Sequence, residues 1–367
     1  MNAVPARSSE GHTVAVVGAT GNLGTSMVRA AADDERVAQV IGVARRVPDW
    51  NPPKTRWLSC DITREDAEPQ LADVFRSVDV VVHLAWLFQP THRPALTWRT
   101  NVLGAMRVFR AAAEVGVSGL VHASSVGAYS PRAAADPLRR VDESWPTHGW
   151  PEAAYTREKA YLERFLDSYE QKYPWIRVVR MRPAFLFKQE SASEQRRLFA
   201  GPLLPNLLVR SGNVPVVPDI TGLSMQFLHT DDAAEAFLDA VTSTVRGPFN
   251  LASEPVIDAR VLAEVLNARI VRVPTRAVRA AVRAAWLTRM LPASPQLFDA
   301  ALQLPLMDWG RAREEFGWRP QRTSTEAMQE FLYGLRTSSG MNTPPLTSRL
   351  PHGGRARELV TRFAAKP

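Results

Sequence analysis

The chain has 367 residues, 45% of them hydrophobic, enough for one large α/β domain with a smaller appendage or for two domains. Its single cysteine, Cys60, excludes an intrachain disulfide framework and suits a reducing, cytoplasmic compartment. The net charge of +8 comes almost wholly from arginines scattered along the chain, in no recognised nucleic-acid motif, so a small anionic ligand is a more economical partner than nucleic acid.

The first eleven residues are polar, with no apolar run before His12, so no secretory leader is expected. No stretch approaches the roughly 18 apolar residues of a membrane-spanning helix, and no stable membrane insertion is expected. His12–Val17 is a short valine-rich run that reads as a buried strand. It breaks into Gly18, Gly21 and Gly24, then enters a helical stretch from Thr25. Glycine permits a tight turn and lets backbone N–H groups approach a pyrophosphate, at which the following helix points its positive end.

Further strands are expected at 38–44, 56–60, 79–85, 119–125 and 176–181, with helices at 64–76, 96–116 and 151–173 between them. This alternation implies α/β architecture: a Rossmann-type doubly wound parallel sheet that binds ligands beyond the carboxyl ends of its strands. Beyond Pro183 the pattern is irregular. A helix over 194–211 is interrupted by Pro202 and Pro205, a strand is expected at 225–229, and Thr230-Asp231-Asp232 caps a helix running to Val241. A short strand at 249–251 and helices at 259–268, 275–291 and 324–336 follow. Residues 12–184 with about 223–253 are read as the nucleotide-binding domain. Residues 185–222 with 254–337 are read as a smaller, discontinuous C-terminal substrate domain, and 1–11 and 338–367 as disordered tails.

Tyr155 and Lys159 lie one helical turn apart on the same face. An ammonium beside a phenol favours the phenolate, so the pair can move a proton at a hydroxyl or carbonyl oxygen while a cofactor carries hydride. Given six tyrosines and five lysines, roughly 0.08 pairs at this spacing are expected by chance. Ser124 and Ser125 end a strand at the ligand edge of the sheet, and a hydroxyl there can hydrogen-bond the reacting oxygen; Ser125 is the preferred candidate.

The glycines with Asp61, His83-Leu84-Ala85, Asn101, Ser125, Tyr155 and Lys159, in this order and spacing, resemble an extended short-chain dehydrogenase/reductase of the NAD(P)-dependent epimerase/dehydratase family. Arg182-Pro183, Phe227 to Asp232, Phe249-Asn250-Leu251 and Glu315 to Pro320 match later parts of the pattern, so the resemblance spans about residues 12 to 335. It implies Tyr155 as acid–base, Lys159 as the ribose-binding lysine, Ser125 as the group that polarises the substrate, and Asn101 as a stabiliser of active-site geometry. It also implies a cofactor site of Gly18, Thr20, Gly21, Asn22, Leu23, Gly24, Asp61, Ile62, Leu84, Ala85, Trp86 and Pro183, and a homodimer formed through the helices around Asn101 and Tyr155.

An acid at the end of the second strand would take the ribose 2′-hydroxyl of NAD. Here Arg45-Arg46 stand instead, suited to a 2′-phosphate, so NADP is expected as cofactor with NAD as the alternative. Trp86 and Phe88, Trp145 and Trp150, and Phe185 and Phe187 place aromatic surface on the expected substrate side. The reading is therefore an oxidoreductase acting on an apolar or aromatic ketone, aldehyde or secondary alcohol. A nucleotide-sugar epimerase or dehydratase, with Arg177, Arg196, Arg197 and Arg210 serving a diphosphate, is one alternative. A non-catalytic NADP-binding sensor is another. No metal site is expected. The basic helix around Arg276, Arg279 and Arg283 carries Val278, Val282, Ala285 and Trp286 on another face and reads as an ordinary amphipathic helix.

Overall fold

The computed structural model describes residues 11–89, 91–200 and 214–348. Valine-rich runs with few polar side chains are driven out of water, and they form the strands of one parallel sheet covered on both faces. The strands are β1 (His12–Val17), β2 (Val37–Ala44), β3 (Thr55–Ser59), β4 (Val80–His83) and β5 (Gly119–Ala123). After the two-residue β6 (Arg140–Val141) comes β7 (Arg177–Pro183). The short β8 (Phe185–Phe187), β9 (Val216–Asp219), β10 (Ser224–Met225) and β11 (Phe227–His229) follow, and β12 (Gly247–Leu251) completes the sheet. Seven strands run in the order β12-β7-β5-β4-β1-β2-β3, every neighbouring pair parallel.

The layers follow from alternation along β1. Val14 and Val16 face α1 (Asn22–Asp33) and a later helix over Thr230–Thr242, whereas Ala15 and Val17 face α2 (Ala67–Phe75) and the helices described next. The strand order reverses at β1, so the turn after β1 opens into the crevice where such sheets take their ligands.

The long helix expected over 96–116 is three pieces: α3 (Pro94–Trp98), one π-helical turn at Arg99–Leu103, and α4 (Gly104–Val115) ended by Gly116 at φ +68. The wide turn carries Asn101 fully into the interior. The helix before β7 is α5 (Ala154–Lys172), and α6 (Ala192–Gln195) passes into a second π-helical turn at Arg196–Ala200. Pro202, Pro205 and Arg210 lie outside the described residues. The helix after β11 is α7 (Thr230–Thr242); His229, not Thr230, caps it, its ring accepting the Asp231 N–H.

The strand expected at 225–229 is two, β10 and β11, because the Gln226 amide turns away to bond both backbone groups of Met307. The remaining elements are β13 (Ile257–Asp258), α8 (Ala259–Leu266), β14 (Arg269–Arg272), α9 (Thr275–Leu287), α10 (Pro295–Ala301), β15 (Leu306–Met307), α11 (Gly310–Phe316) and α12 (Ser324–Thr337). They form two-stranded pairs with the short strands: β10 with β13, β9 with β14, β6 with β15, and β8 with β11.

One expectation is overturned after α12. Residues 338–348, read from their polar composition as part of a disordered tail, are packed down, with Leu346 fully buried and Thr343 2% exposed. Hydrogen bonds do what apolar content does not: Arg197 donates to the carbonyls of Pro345 and Thr347, and Met341 and Leu346 close a turn. Residues 1–10 and 349–367 lie outside the described part of the chain. Among the described residues no helix is long and apolar enough to cross a membrane.

Within the core, fully buried Phe109 of α4 meets His83 and His122 edge-on at 5.3 and 5.4 Å and Phe165 at 6.0 Å. Phe109→Ala should lower the unfolding free energy by about 3–5 kcal/mol. Chemical denaturation would show this as a lower midpoint with an unchanged slope.

Candidate active site

Three residues of α5 at four-residue spacing meet three consecutive residues at the end of β5. The Tyr155 hydroxyl donates to Ser125 Oγ at 2.8 Å, the Lys159 ammonium donates to the Ala123 carbonyl at 2.7 Å, and Ser124 Oγ donates to Glu163 at 2.6 Å. A stripe at i, i+4 and i+8 runs along one helix face, so the register of α5 on β5 is fixed at three points. The two serines are thereby separated: Ser124 faces Glu163 and Ser125 faces Tyr155. Gly127, which the sequence reading passed over, lets the phenol close, since a Cβ there would come within 2.6 Å of Tyr155 Cε1. Ser125 Oγ also accepts the Gly127 N–H at 3.0 Å.

Glu163 is fully buried, with Arg182 donating through Nε and Nη2 at 2.9 Å each and Arg180 at 3.2 Å. Burial opposes its charge, but Arg182, Arg180 and the Ser124 hydroxyl outweigh it and hold the carboxyl down to about 2. Arg182 continues the network to the Tyr129 hydroxyl, which donates to Asn250 on β12.

Asn101 grips the backbone of Leu87 from both sides. Its Oδ1 accepts the Leu87 N–H at 2.7 Å, and its Nδ2 donates to the Leu87 carbonyl at 2.9 Å and to Glu158 at 2.7 Å. Glu158, buried on α5 beside Lys159, also accepts from Thr97 at 2.6 Å; burial raises its pKa. This clamp sets the Trp86–Phe88 loop against the helix. Phe88 stacks on the Tyr155 ring at 5.0 Å and 16°, Trp86 meets it edge-on at 5.6 Å, and Phe199 closes on Phe88 at 5.5 Å.

The expected electrostatics need one correction. Lys159 lies 3.5 Å from the centre of the Trp86 ring, and burial pushes its pKa down to about 7. Burial pushes the Tyr155 phenol up to about 12 against the Ser125 hydrogen bond, so in this arrangement the lysine does not lower it.

The glycine turn has the shape of an anion cradle. Gly18, at φ +90, passes so close to Ala85 that a Cβ would lie 2.6 Å from its nitrogen, and a Cβ at Gly24 would run into the Gly18 carbonyl. Gly21 has room around it and caps α1 with no side-chain hydrogen bond to the first N–H groups of the helix. The Asn22 side chain reaches the Leu186 carbonyl. Arg45 and Arg46 are exposed just past β2. Asp61 accepts from the backbone and hydroxyl of Thr63, Ile62 packs under Gly104, and Leu84 continues β4 with its N–H on Val17. Pro183 ends β7 beside Leu251.

Not all of the aromatic residues expected on the substrate side meet the Tyr155 stack. Phe185 and Phe187 meet Phe227, and Phe187 also meets Phe331, as a packed cluster apart from the Tyr155 stack. Trp145 packs with Val126 and Tyr129 and donates to the Ser130 carbonyl. Trp150 accepts from Thr156 through its carbonyl, while its indole N–H is buried without a partner among the described residues. Phe88 does line a cleft of about 300 Å³, together with Trp86, Tyr155, Glu152, Glu158, Trp286 and Leu297. The basic helix α9 contributes Trp286 to it, which stacks on His92 at 4.0 Å and donates to Thr91, while Arg279 pairs with Asp299.

Two of the arginines considered for a diphosphate are engaged with backbone. Arg177 donates to the carbonyls of Ala240 and Val241, and Arg197 to those of Pro345 and Thr347. Among the described residues no cluster of histidine, cysteine or carboxylate side chains has the arrangement of a metal site. The sequence reading missed Glu158, Glu163 and Gly127. The first two were marked only by their spacing on α5, and Gly127 only by its place two residues after Ser125.

The sequence model of the NAD dependent epimerase/dehydratase family matches residues 14–252. A Mycobacterium tuberculosis protein is 26% identical over 330 residues, which are 89% of this chain but 30% of that protein, so the chain spans under a third of that relative's length. An L-arabinose 1-dehydrogenase (NAD(P)+) of Haloferax volcanii is 27% identical over 191 residues, 50% of this chain and 70% of that one. Among solved structures, the Thermus thermophilus UDP-glucose 4-epimerase complex with NAD has TM-score 0.65 at 20% identity, covering 88% of this chain and 99% of that one. The Streptomyces venezuelae dTDP-glucose 4,6-dehydratase has TM-score 0.64 at 19% identity, covering 89% and 97%.

Removing this fully buried charge takes the carboxylate partner from Arg182, whereas Arg180 keeps Asp167 and Glu170. Glu163→Gln should cost about 3–5 kcal/mol in denaturant unfolding. Because the folded carboxyl sits near 2, below its ordinary 4.5, its contribution is complete above about pH 4.5 and is lost as pH falls toward 2. The variant should therefore show a flatter loss of stability than the parent across that window.

Proposed function

The chain belongs to the NAD dependent epimerase/dehydratase family, an extended short-chain dehydrogenase/reductase enzyme, and from that premise we propose that it reduces an apolar or aromatic ketone or aldehyde, or oxidises the matching secondary alcohol. The observation that carries this reading is the aromatic enclosure of Tyr155 by Phe88 and Trp86 beside a cleft walled by Trp286 and Leu297. Such walls favour burial of an apolar ring or chain.

The residues present fit a nicotinamide dinucleotide at its phosphate end. The close approach at Gly18 and Gly24, the open Gly21 and the uncapped start of α1 suit a pyrophosphate. When bound, the cofactor supplies or accepts the hydride. Arg45 and Arg46, with no carboxylate at the end of β2, favour NADP over NAD through charge-assisted bonds to a 2′-phosphate. Tyr155 donates a proton to the carbonyl oxygen, and its elevated pKa keeps it in the protonated form that reduction uses. Ser125 hydrogen-bonds the same oxygen, and Lys159 holds the nicotinamide ribose. Asn101 acts through Leu87 and Glu158, keeping the aromatic loop and α5 in register. Exposed Leu103, just before α4, and exposed Tyr161 on α5 support a homodimer through those helices.

A nucleotide-sugar epimerase or dehydratase is the second reading, favoured by the similar structures. Against it, Arg177 and Arg197 are held by carbonyls.

Tyr155→Phe should lower kcat by at least about 100-fold while cofactor binding is retained. Unchanged turnover would remove Tyr155 from the chemistry. By fluorescence titration NADPH should bind at least about tenfold tighter than NADH, and Arg45→Ala with Arg46→Ala should erase the difference. An NADH preference in the parent protein would overturn the arginine argument.

A further inference from the structure

The packed segment after α12 is hydrogen-bonded to the backbone of the glycine turn. We propose that Met341–Leu346 forms the outer wall of the adenosine-ribose end of the dinucleotide site, with Thr343 as the positioning residue that fixes the glycine turn; this rests on the dinucleotide reading above. Thr343 Oγ1 donates to the Thr20 carbonyl at 2.9 Å, and the side chain is 2% exposed. Thr20 sits between Gly18 and Gly21, and the Gly18 and Ala19 N–H groups both bond the Val43 carbonyl near the end of β2. The glycine turn and the β2 exit that carries Arg45 and Arg46 are therefore side by side. The neighbouring Asn342 Nδ2 donates to the Asp49 carbonyl at 3.0 Å, three residues past Arg46. Two consecutive residues of the segment thus bridge the two stretches of backbone that frame this end of the site.

The peptide bond is planar, so holding the Thr20 carbonyl also orients the Gly21 N–H and sets the direction in which the chain enters α1. The Gly21 N–H of that peptide turns back onto the Gly18 carbonyl at 3.2 Å, so the Thr343 bond holds the carbonyl end of a unit whose N–H end closes the turn. An external hydrogen bond there fixes the amides before ligand arrives and reduces the ordering cost of binding. The segment is itself well anchored: Leu346 is fully buried, Arg197 holds two of its carbonyls, and Arg29 meets Met341 Sδ at 3.4 Å. Arg197 also stands two residues before Phe199, which closes on Phe88, so the same segment braces the aromatic side of the cleft.

The test uses the full chain, with NADPH fluorescence titration and stopped-flow dissociation. Thr343→Val keeps the shape and removes the hydroxyl; losing one hydrogen bond of ordinary strength should weaken NADPH binding about three- to tenfold. The loss should appear as faster dissociation and a higher KM for NADPH, and Thr343→Ser should restore both to within about twofold of the parent. Backbone hydrogen exchange over residues 339–348 should slow when NADPH is added. A parent that binds NADPH with Thr343→Val binding equally well overturns the wall and leaves the dinucleotide reading standing. Weakened binding that serine does not restore, accompanied by a lowered melting temperature, also overturns it, because packing then accounts for the effect. A folded parent that binds neither NADPH nor NADH overturns the dinucleotide reading, and the wall with it.

Discussion

The buried carboxylate of Glu163 is the constraint on which the active site rests. A charge with no water around it must be matched from several directions, and here Arg182 and Arg180 from β7 and Ser124 from the end of β5 converge on it. Those bonds tie α5 to two neighbouring strands at once. With Glu163 fixed, the helix can present Lys159 only at Ala123 and Tyr155 only at Ser125. The pairing of serine with tyrosine is thus a by-product of how a buried ion is satisfied two turns away.

A second, polar clamp works from the opposite side. Asn101 stands on a π-helical turn, a wider coil that swings its amide inward to hold both backbone groups of Leu87. The loop so held carries Trp86 and Phe88 onto the catalytic face. Their rings exclude water from Tyr155 and Lys159, which explains why the phenol is pushed up and the ammonium down. The same packing gives the cleft its apolar wall, so one loop sets both the surroundings of Tyr155 and Lys159 and the lining of the cleft.

The fold was legible because its signals are local. Valine runs at 12–17 and 80–83 alternate with amphipathic helices, and three glycines mark the one turn where backbone must pass close to Ala85. The site was legible in its sequence-adjacent parts: the four-residue step from Tyr155 to Lys159 is a helical turn in any context. What the sequence hid depends on distant partners. Glu163 has meaning only beside Arg180 and Arg182, and Phe187 belongs to a cluster with Phe227 and Phe331 rather than to the Tyr155 stack. The polar stretch after Ser338 was misread because composition reports apolar burial, whereas Thr343 and Arg197 order that stretch through carbonyls remote in the chain. The break between Met225 and Phe227 had the same origin, a single glutamine side chain bonding a distant backbone.

The central claim is that Tyr155 and its aromatic surroundings serve net hydride transfer to an apolar carbonyl. The most direct measurement follows deuterium from NADPH labelled at nicotinamide C4 into a panel of aryl and alkyl ketones, with UDP- and dTDP-sugars run alongside. The account predicts a deuterated secondary alcohol from the ketones, one NADP+ formed for each, and no change in the sugars. Epimerised or dehydrated sugar with the cofactor returned to its starting state, and no labelled alcohol, would contradict it.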